Sequence, residues 1–227
     1  MTRLSCLILA LAFLLGACRS EQPPPKSEES ASGEAAGIIV AMGDSLTAGY
    51  GLAMEESYPA LLEKKLRAAG YPYQVINAGV SAETSSGALP RLEWVLTMGP
   101  DIVILETGAN DGLRGIDPQV AEENIRKILT TLKEREITVV LAGMGMVRNL
   151  GADYVDRFNA IYPRLAKEQE VIFMPFFLEG VAMVSQYNQE DRIHPNSAGY
   201  AKIVENLFPY VVRAIEEHRR SPKRDGG

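Results

Sequence analysis

Ser45, Asp191 and His194 supply a hydroxyl, a carboxylate and one of only two imidazoles in a chain of 227 residues. A serine whose proton passes to an imidazole held by a carboxylate is a nucleophile suited to acyl transfer. Ser45 lies in Gly43-Asp44-Ser45-Leu46-Thr47-Ala48-Gly49-Tyr50-Gly51, directly after the apolar run at residues 38–42. Such a run reads as a buried parallel strand, and in an open α/β sheet ligands bind just outside the carboxyl ends of the strands. Taken alone, Gly-Asp-Ser is equally a turn in which Asp-Ser caps a helix. Asp191 precedes His194 by three residues in Asp191-Arg192-Ile193-His194-Pro195-Asn196. One turn can therefore aim its carboxylate at the imidazole Nδ1 and leave Nε2 for the serine proton, while Pro195 restrains the backbone that follows. The other histidine, His218, falls in a basic C-terminal stretch and is expected to be solvated.

Acyl transfer also needs donors for a developing oxyanion. The loops after the second and third strands share the sheet edge with Ser45. They read Asn77-Ala78-Gly79-Val80-Ser81-Ala82-Glu83-Thr84 and Thr107-Gly108-Ala109-Asn110-Asp111-Gly112. Asn110 offers an uncharged amide N–H; by itself the segment around it is also an ordinary turn. A dinucleotide role has poor support, because Gly43 starts no Gly-x-Gly-x-x-Gly and Gly143-Met144-Gly145 lacks the third glycine.

Five apolar runs must carry these loops: residues 38–42, 74–78, 102–105, 137–141 and 171–174. Amphipathic helices are expected between them, at 58–69, 89–98, from Pro118 onward, at 153–168 and at 196–217. The alternation predicts an α/β domain over 37–217, with a five-stranded parallel sheet covered on both faces. Residues 177–190 read as a loop with one helical turn. Loops 112–117 and 144–150 follow strand ends and should flank the site. Met144, Met146, Val147 and Leu150 there either line an acyl channel or pack beneath the loop.

The ends are of a different character. Residues 4–15 form an apolar segment of signal-peptide length after Thr2-Arg3, too short to span a membrane comfortably. It closes in Leu15-Gly16-Ala17-Cys18, which resembles a bacterial lipobox: residues 1–17 would be cleaved and Cys18 would carry a diacylglyceryl group. An ordinary secretory signal with an incidental Cys18 is the alternative. Cys6 leaves with the signal, so the mature chain has no disulfide and no cysteine metal site. Residues 18–36, with Pro23-Pro24-Pro25 and then Ser, Glu, Gly and Ala, read as a disordered tether, and 218–227 as a flexible basic tail. The expected protein is a monomer of the bacterial cell envelope, held to a membrane by its N-terminus on the periplasmic side. A formal charge of −6 gives no reason to expect a nucleic-acid partner.

Four blocks in order, Gly43-Asp44-Ser45-Leu46, Gly79 to Thr84, Gly108-Ala109-Asn110-Asp111 and Asp191-x-x-His194-Pro195, resemble those of the SGNH (GDSL) hydrolases across essentially the whole domain. Gly108-x-Asn110-Asp111-Gly112-Leu113-Arg114-Gly115 and Tyr162-Pro163-x-Leu165-Ala166-Lys167-Glu168 look particularly like the thioesterase I/lysophospholipase L1/arylesterase branch. The resemblance implies a flavodoxin-like three-layer α/β/α fold and a Ser–His–Asp acyl hydrolase with no metal or cofactor. It makes Ser45 the nucleophile and places the oxyanion donors at Ser45 N–H, Ala82 N–H and Asn110. Where the family usually has Gly-Asp-Thr, this chain has Ala82-Glu83-Thr84. A positive φ there would strain Ala82 where glycine would be at ease. The implied substrates are small ester or lipid molecules: aryl and short-to-medium acyl esters, lysophospholipids and thioesters. An exported enzyme would not meet cytoplasmic acyl-CoA. An O-acetyl esterase acting on envelope polysaccharide and a non-catalytic lipid-binding lipoprotein are the competing readings.

Overall fold

The computed structural model describes residues 35–146 and 150–220. The expected signal peptide, Cys18, most of the tether, Val147 and the tail from residue 221 lie outside them. Five strands, β1 (Gly37–Gly43), β2 (Tyr73–Gly79), β3 (Ile102–Glu106), β4 (Thr138–Ala142) and β5 (Ile172–Met174), form one sheet. Its order is β2-β1-β3-β4-β5 and every neighbouring pair is parallel. Strands buried on both faces need apolar side chains in both directions. Accordingly Ile39, Val40, Ala41 and Met42 of β1 and Ile102, Val103, Ile104 and Leu105 of β3 are all fully buried.

Among the described residues nine α-helical segments accompany the strands: α1 (Ser45–Ala48), α2 (Tyr58–Ala68), α3 (Ser85–Ala88), α4 (Leu92–Leu96), α5 (Ala109–Leu113), α6 (Pro118–Glu134), α7 (Ala152–Asn159), α8 (Ile161–Gln169) and α9 (Ser197–Arg220). Helices α2 and α9 pack against each other on one side of the sheet, and α6 packs with α3 and α8 on the other. The result is the expected three-layer α/β/α architecture with a five-stranded parallel sheet. Among the described residues no helix is long and apolar enough to cross a membrane.

Three helices differ from the periodicity. The expected 89–98 helix starts earlier, as α3 at Ser85, then tightens into a 3₁₀ turn at Leu89–Arg91 before α4. A side chain distant in sequence sets that start: Asp111 accepts from the Ser85 N–H at 2.7 Å and its hydroxyl at 2.6 Å. The expected 153–168 helix is broken between Asn159 and Ile161. Pro163 has no N–H for the Asn159 carbonyl, so the intrahelical ladder cannot run through. The last helix continues to Arg220, so His218 is not simply solvated; its Nε2 lies 3.6 Å from Asp101 Oδ1.

The chain crosses from β1 out to β2 and returns on the opposite side of β1 to form β3. Between β1 and β3 lies the point where strand order reverses, and there the loops part to leave a crevice. Gly43 and Gly79 are register partners at this edge. A Cβ on Gly79 would sit 2.7 Å from Ala48 Cα and from the Thr47 carbonyl carbon, and would overlap Ala48 N. Its neighbours there are backbone atoms, which cannot rotate away. Gly79→Ala should therefore cost about 1–3 kcal/mol of stability, the range of forced overpacking. Urea melts would check this, and an unchanged midpoint would refute the close approach.

Candidate active site

Ser45 is the first residue of α1, and the residue before it caps that helix: Asp44 Oδ1 accepts from the Leu46 N–H at 2.9 Å. A four-residue helix has no stability of its own. Its chain is held by tertiary bonds, including Tyr200 Oη–H to the Leu46 carbonyl at 2.9 Å from α9. The turn after β1 thus brings the Ser45 hydroxyl to His194, with Oγ 2.9 Å from Nε2.

His194 and Asp191 share one turn. Asp191 Oδ1 accepts from the Ile193 and His194 backbone N–H groups at 2.9 and 3.0 Å, which leaves Oδ2 for His194 Nδ1 at 2.6 Å. Arg192 takes a left-handed backbone, φ +61°, inside this turn. Partial burial works against the Asp191 charge. The bonds from His194 and Ile193 outweigh it and hold the carboxyl down at about 2. Asp191 is therefore an anion in any neutral solution, able to fix the Nδ1–H tautomer and balance an imidazolium. The Tyr50 ring lies against the imidazole, centroids 4.6 Å apart. Gln189 Nε2 donates to the carbonyls of Tyr50 at 2.7 Å and Pro195 at 3.0 Å, tying the two loops together.

The second and third blocks also converge here. Ala82 has φ +64°, the left-handed conformation that glycine would take without strain. Two basic side chains hold its loop. Arg114 donates to the Ala82 carbonyl at 2.7 Å. Arg91 donates to both Glu83 carboxylate oxygens, and through Nη2 to the Gly43 carbonyl at 3.1 Å. Asn110 lines the same crevice as Ser45 and His194. Its amide Nδ2 donates to Asp44 Oδ2 at 3.1 Å and to the Glu83 carbonyl at 3.0 Å. Both amide hydrogens thus have acceptors in this resting arrangement, so an oxyanion beside Ser45 would have to share one of them.

The crevice opens into a groove of about 400 Å³. Of the residues expected to line a channel, Met144 and Met146 do so and Leu150 does not; Leu150 opens the far end of the loop and is exposed. Further apolar wall comes from Leu113, in the 112–117 stretch expected to flank the site, and from Phe176, Leu178, Ala182 and Met183, which the sequence did not single out. Those four sit in the segment after β5, with no periodicity to read. Only their position after strand ends could have flagged them. A larger hollow of about 570 Å³, walled by paired charges such as Arg126, Arg164 and Glu122, has none of the candidate residues in its lining. Among the described residues no cluster of His, Cys, Asp or Glu is placed to hold a metal ion.

Because left-handed alanine costs about 1–2 kcal/mol and glycine gives part of that back as unfolded-chain entropy, Ala82→Gly should raise stability by up to about 1 kcal/mol. Urea midpoints would check it; a destabilised Ala82→Gly would mean the loop clamps impose no strain.

Residues 41–202 match the model of the GDSL-like Lipase/Acylhydrolase family. An arylesterase of Vibrio mimicus is 37% identical over 187 residues, covering 82% of this chain and 94% of that protein. The thioesterase 1/protease 1/lysophospholipase L1 of Escherichia coli is 41% identical over 163 residues, covering 71% of this chain and 77% of that protein. Among solved structures, the psychrotrophic esterase EstA from Pseudoalteromonas sp., inhibited by monoethylphosphonate, superposes with a TM-score of 0.75 at 30% identity, covering 79% of this chain and 99% of that one. The family-model match, a shared architecture and similarity along most of the domain lead to one conclusion: the chain belongs to the GDSL-like lipase/acylhydrolase family.

Proposed function

We propose that the protein is a serine esterase that hydrolyses carboxylic esters through an acyl-enzyme on Ser45. The observation that carries this reading is the unbroken chain from Ser45 Oγ through His194 to Asp191, at 2.9 and 2.6 Å, opening onto an apolar groove. Aryl and short-to-medium acyl esters, lysophospholipids and thioesters suit that groove, whose Met144, Met146 and Met183 can adjust to varied apolar shapes. The names of the relatives, arylesterase and thioesterase 1/protease 1/lysophospholipase L1, support the same class.

Ser45 Oγ attacks the ester carbonyl as its proton moves to His194 Nε2, and Asp191 balances the imidazolium. The tetrahedral oxyanion takes the N–H groups of Ser45 and Ala82 and one N–H of Asn110, drawn from the two it donates at rest. His194 then gives its proton to the leaving alcohol or thiol. Water, activated by the same imidazole, attacks the acyl-enzyme and returns Ser45 to its starting state. We also propose, from the sequence of the N-terminus, that lipidated Cys18 anchors a monomeric enzyme in the bacterial envelope, facing esters and lipids outside the cytoplasm.

Hydrolysis of p-nitrophenyl esters from acetyl to palmitoyl tests this. Ser45→Ala should abolish turnover while leaving the fold intact, and retained turnover would sink the assignment. Asn110→Ala should lower kcat by about 10²–10³, whereas a loss within about threefold would make it a turn residue only. Each methylene that enters the groove is worth about 0.8 kcal/mol, so kcat/KM should rise about fourfold per carbon until the groove is full. Activity confined to acetyl esters would favour a polysaccharide O-acetyl esterase instead.

A further inference from the structure

Beneath Ser45 lies a pair of carboxyls that this acyl-transfer scheme does not use. Glu106 closes β3, a strand otherwise made of Ile102, Val103, Ile104 and Leu105, and is fully buried. Its Oε2 accepts from the Asp44 backbone N–H at 3.2 Å and from the Thr47 hydroxyl at 2.8 Å, and its Oε1 has no donor. The Asp44 carboxyl is nearly as buried and lies within hydrogen-bonding reach of it. Both Asp44 oxygens are already acceptors, Oδ1 from Leu46 N–H and Oδ2 from Asn110.

Among the described residues no unpaired cation faces the pair to neutralise two anions. The groups that face the pair are Thr47, Tyr58, Tyr162, Tyr200 and, from the site, His194. Arg91 comes as near as the Gly43 carbonyl, but Glu83 already balances its charge. Two carboxylates in contact in a dry pocket cannot both ionise. The oxygen without a donor is on Glu106, whereas both Asp44 oxygens accept N–H bonds that favour its charged form.

We infer that Glu106 is a neutral carboxylic acid that donates its proton to Asp44, and that it is a positioning residue for the oxyanion pocket, acting through Asp44 on Asn110. Burial pushes the Glu106 carboxyl well above the usual carboxylate range, with the Asp44 charge adding to it. Burial likewise pushes Asp44 up to about 6. At neutral pH the pair thus holds one proton, on Glu106, and one charge, on Asp44. That charge grips the Asn110 amide and the first turn of α1 together. The positioning role rests on the esterase reading; the location of the proton does not.

Infrared spectroscopy of the protein at a pH of about 8, where ordinary carboxyls are ionised, tests the proton directly. The carbonyl stretch of one protonated acid should be present in the parent and absent from Glu106→Gln. A parent spectrum without that band would overturn the assignment. Kinetics test the positioning. Glu106→Leu should lower kcat on a short ester by about tenfold or more with little change in KM, as a displaced oxyanion donor would. Glu106→Gln, which keeps a donor for Asp44 and an acceptor for Thr47, should rescue kcat to within about threefold of the parent. In an Asn110→Ala background the cost of Glu106→Leu should nearly vanish, because residues acting as one unit are not additive. An undiminished cost there would break the route through Asn110. If Glu106→Leu does not fold, the infrared band and Glu106→Gln still decide: a Glu106→Gln enzyme crippled in kcat would overturn the neutral-acid role. A parent with the band but no esterase activity would overturn the esterase reading and leave the proton in place.

Discussion

The site depends on a backbone-to-backbone contact at the end of β2. Because Gly79 has no side chain, the chain of α1 can lie directly on it, with the Thr47 and Ala48 main chain occupying the space of a Cβ. That contact sets where Ser45 leaves the sheet. The other attachments of α1 come from separate elements: the Tyr200 hydroxyl from α9, Glu106 from β3 and the Tyr58 hydroxyl, 3.3 Å from Thr47 Oγ1, from α2. A helix too short to persist alone is therefore fixed by the whole core beneath it. The result is the Ser45 hydroxyl on a rigid mount at the strand-order reversal, where loops on both sides of β1 open away from each other.

Around that mount the backbone is strained at two loop positions. Ala82 and Arg192 both adopt left-handed φ, one in the loop after β2 and one in the turn that joins Asp191 to His194. Such conformations persist only when the surroundings over-determine them. At Ala82 the over-determination is visible: Arg114 holds its carbonyl, and the Glu83–Arg91 pair bolts the next residue to the end of β1. At Arg192 the carboxylate of Asp191 does the same by collecting two backbone N–H groups.

The strands were legible because a sheet buried on both faces requires unbroken apolar runs, which few other structures produce. The members of the triad were legible for a different reason, scarcity: with two histidines in the chain, one of them three residues from an aspartate, few arrangements remain. Helix α3 was not legible, since Asp111 sets its start from 26 residues away. The groove wall was not legible either, because Phe176, Leu178 and Met183 reach it from a loop whose apolar residues follow no period. Glu106 stood in plain view as a charge closing an apolar strand. What its burial means depends on Asp44, and only the fold brings those two together.

Asp191 and His194 are separated by two residues and joined within one turn, whereas His194 and Ser45 are 149 residues apart in the chain. The relay thus has one joint made by local covalent geometry and one made by tertiary packing. A relative shift of the two loops bears on the second contact and leaves the first within its own turn. Gln189, bridging the carbonyls of Tyr50 and Pro195, spans that soft joint. The imidazole is thus held to Asp191 by its own turn and to Ser45 by the fold, and a single amide side chain bridges the two loops of that second contact.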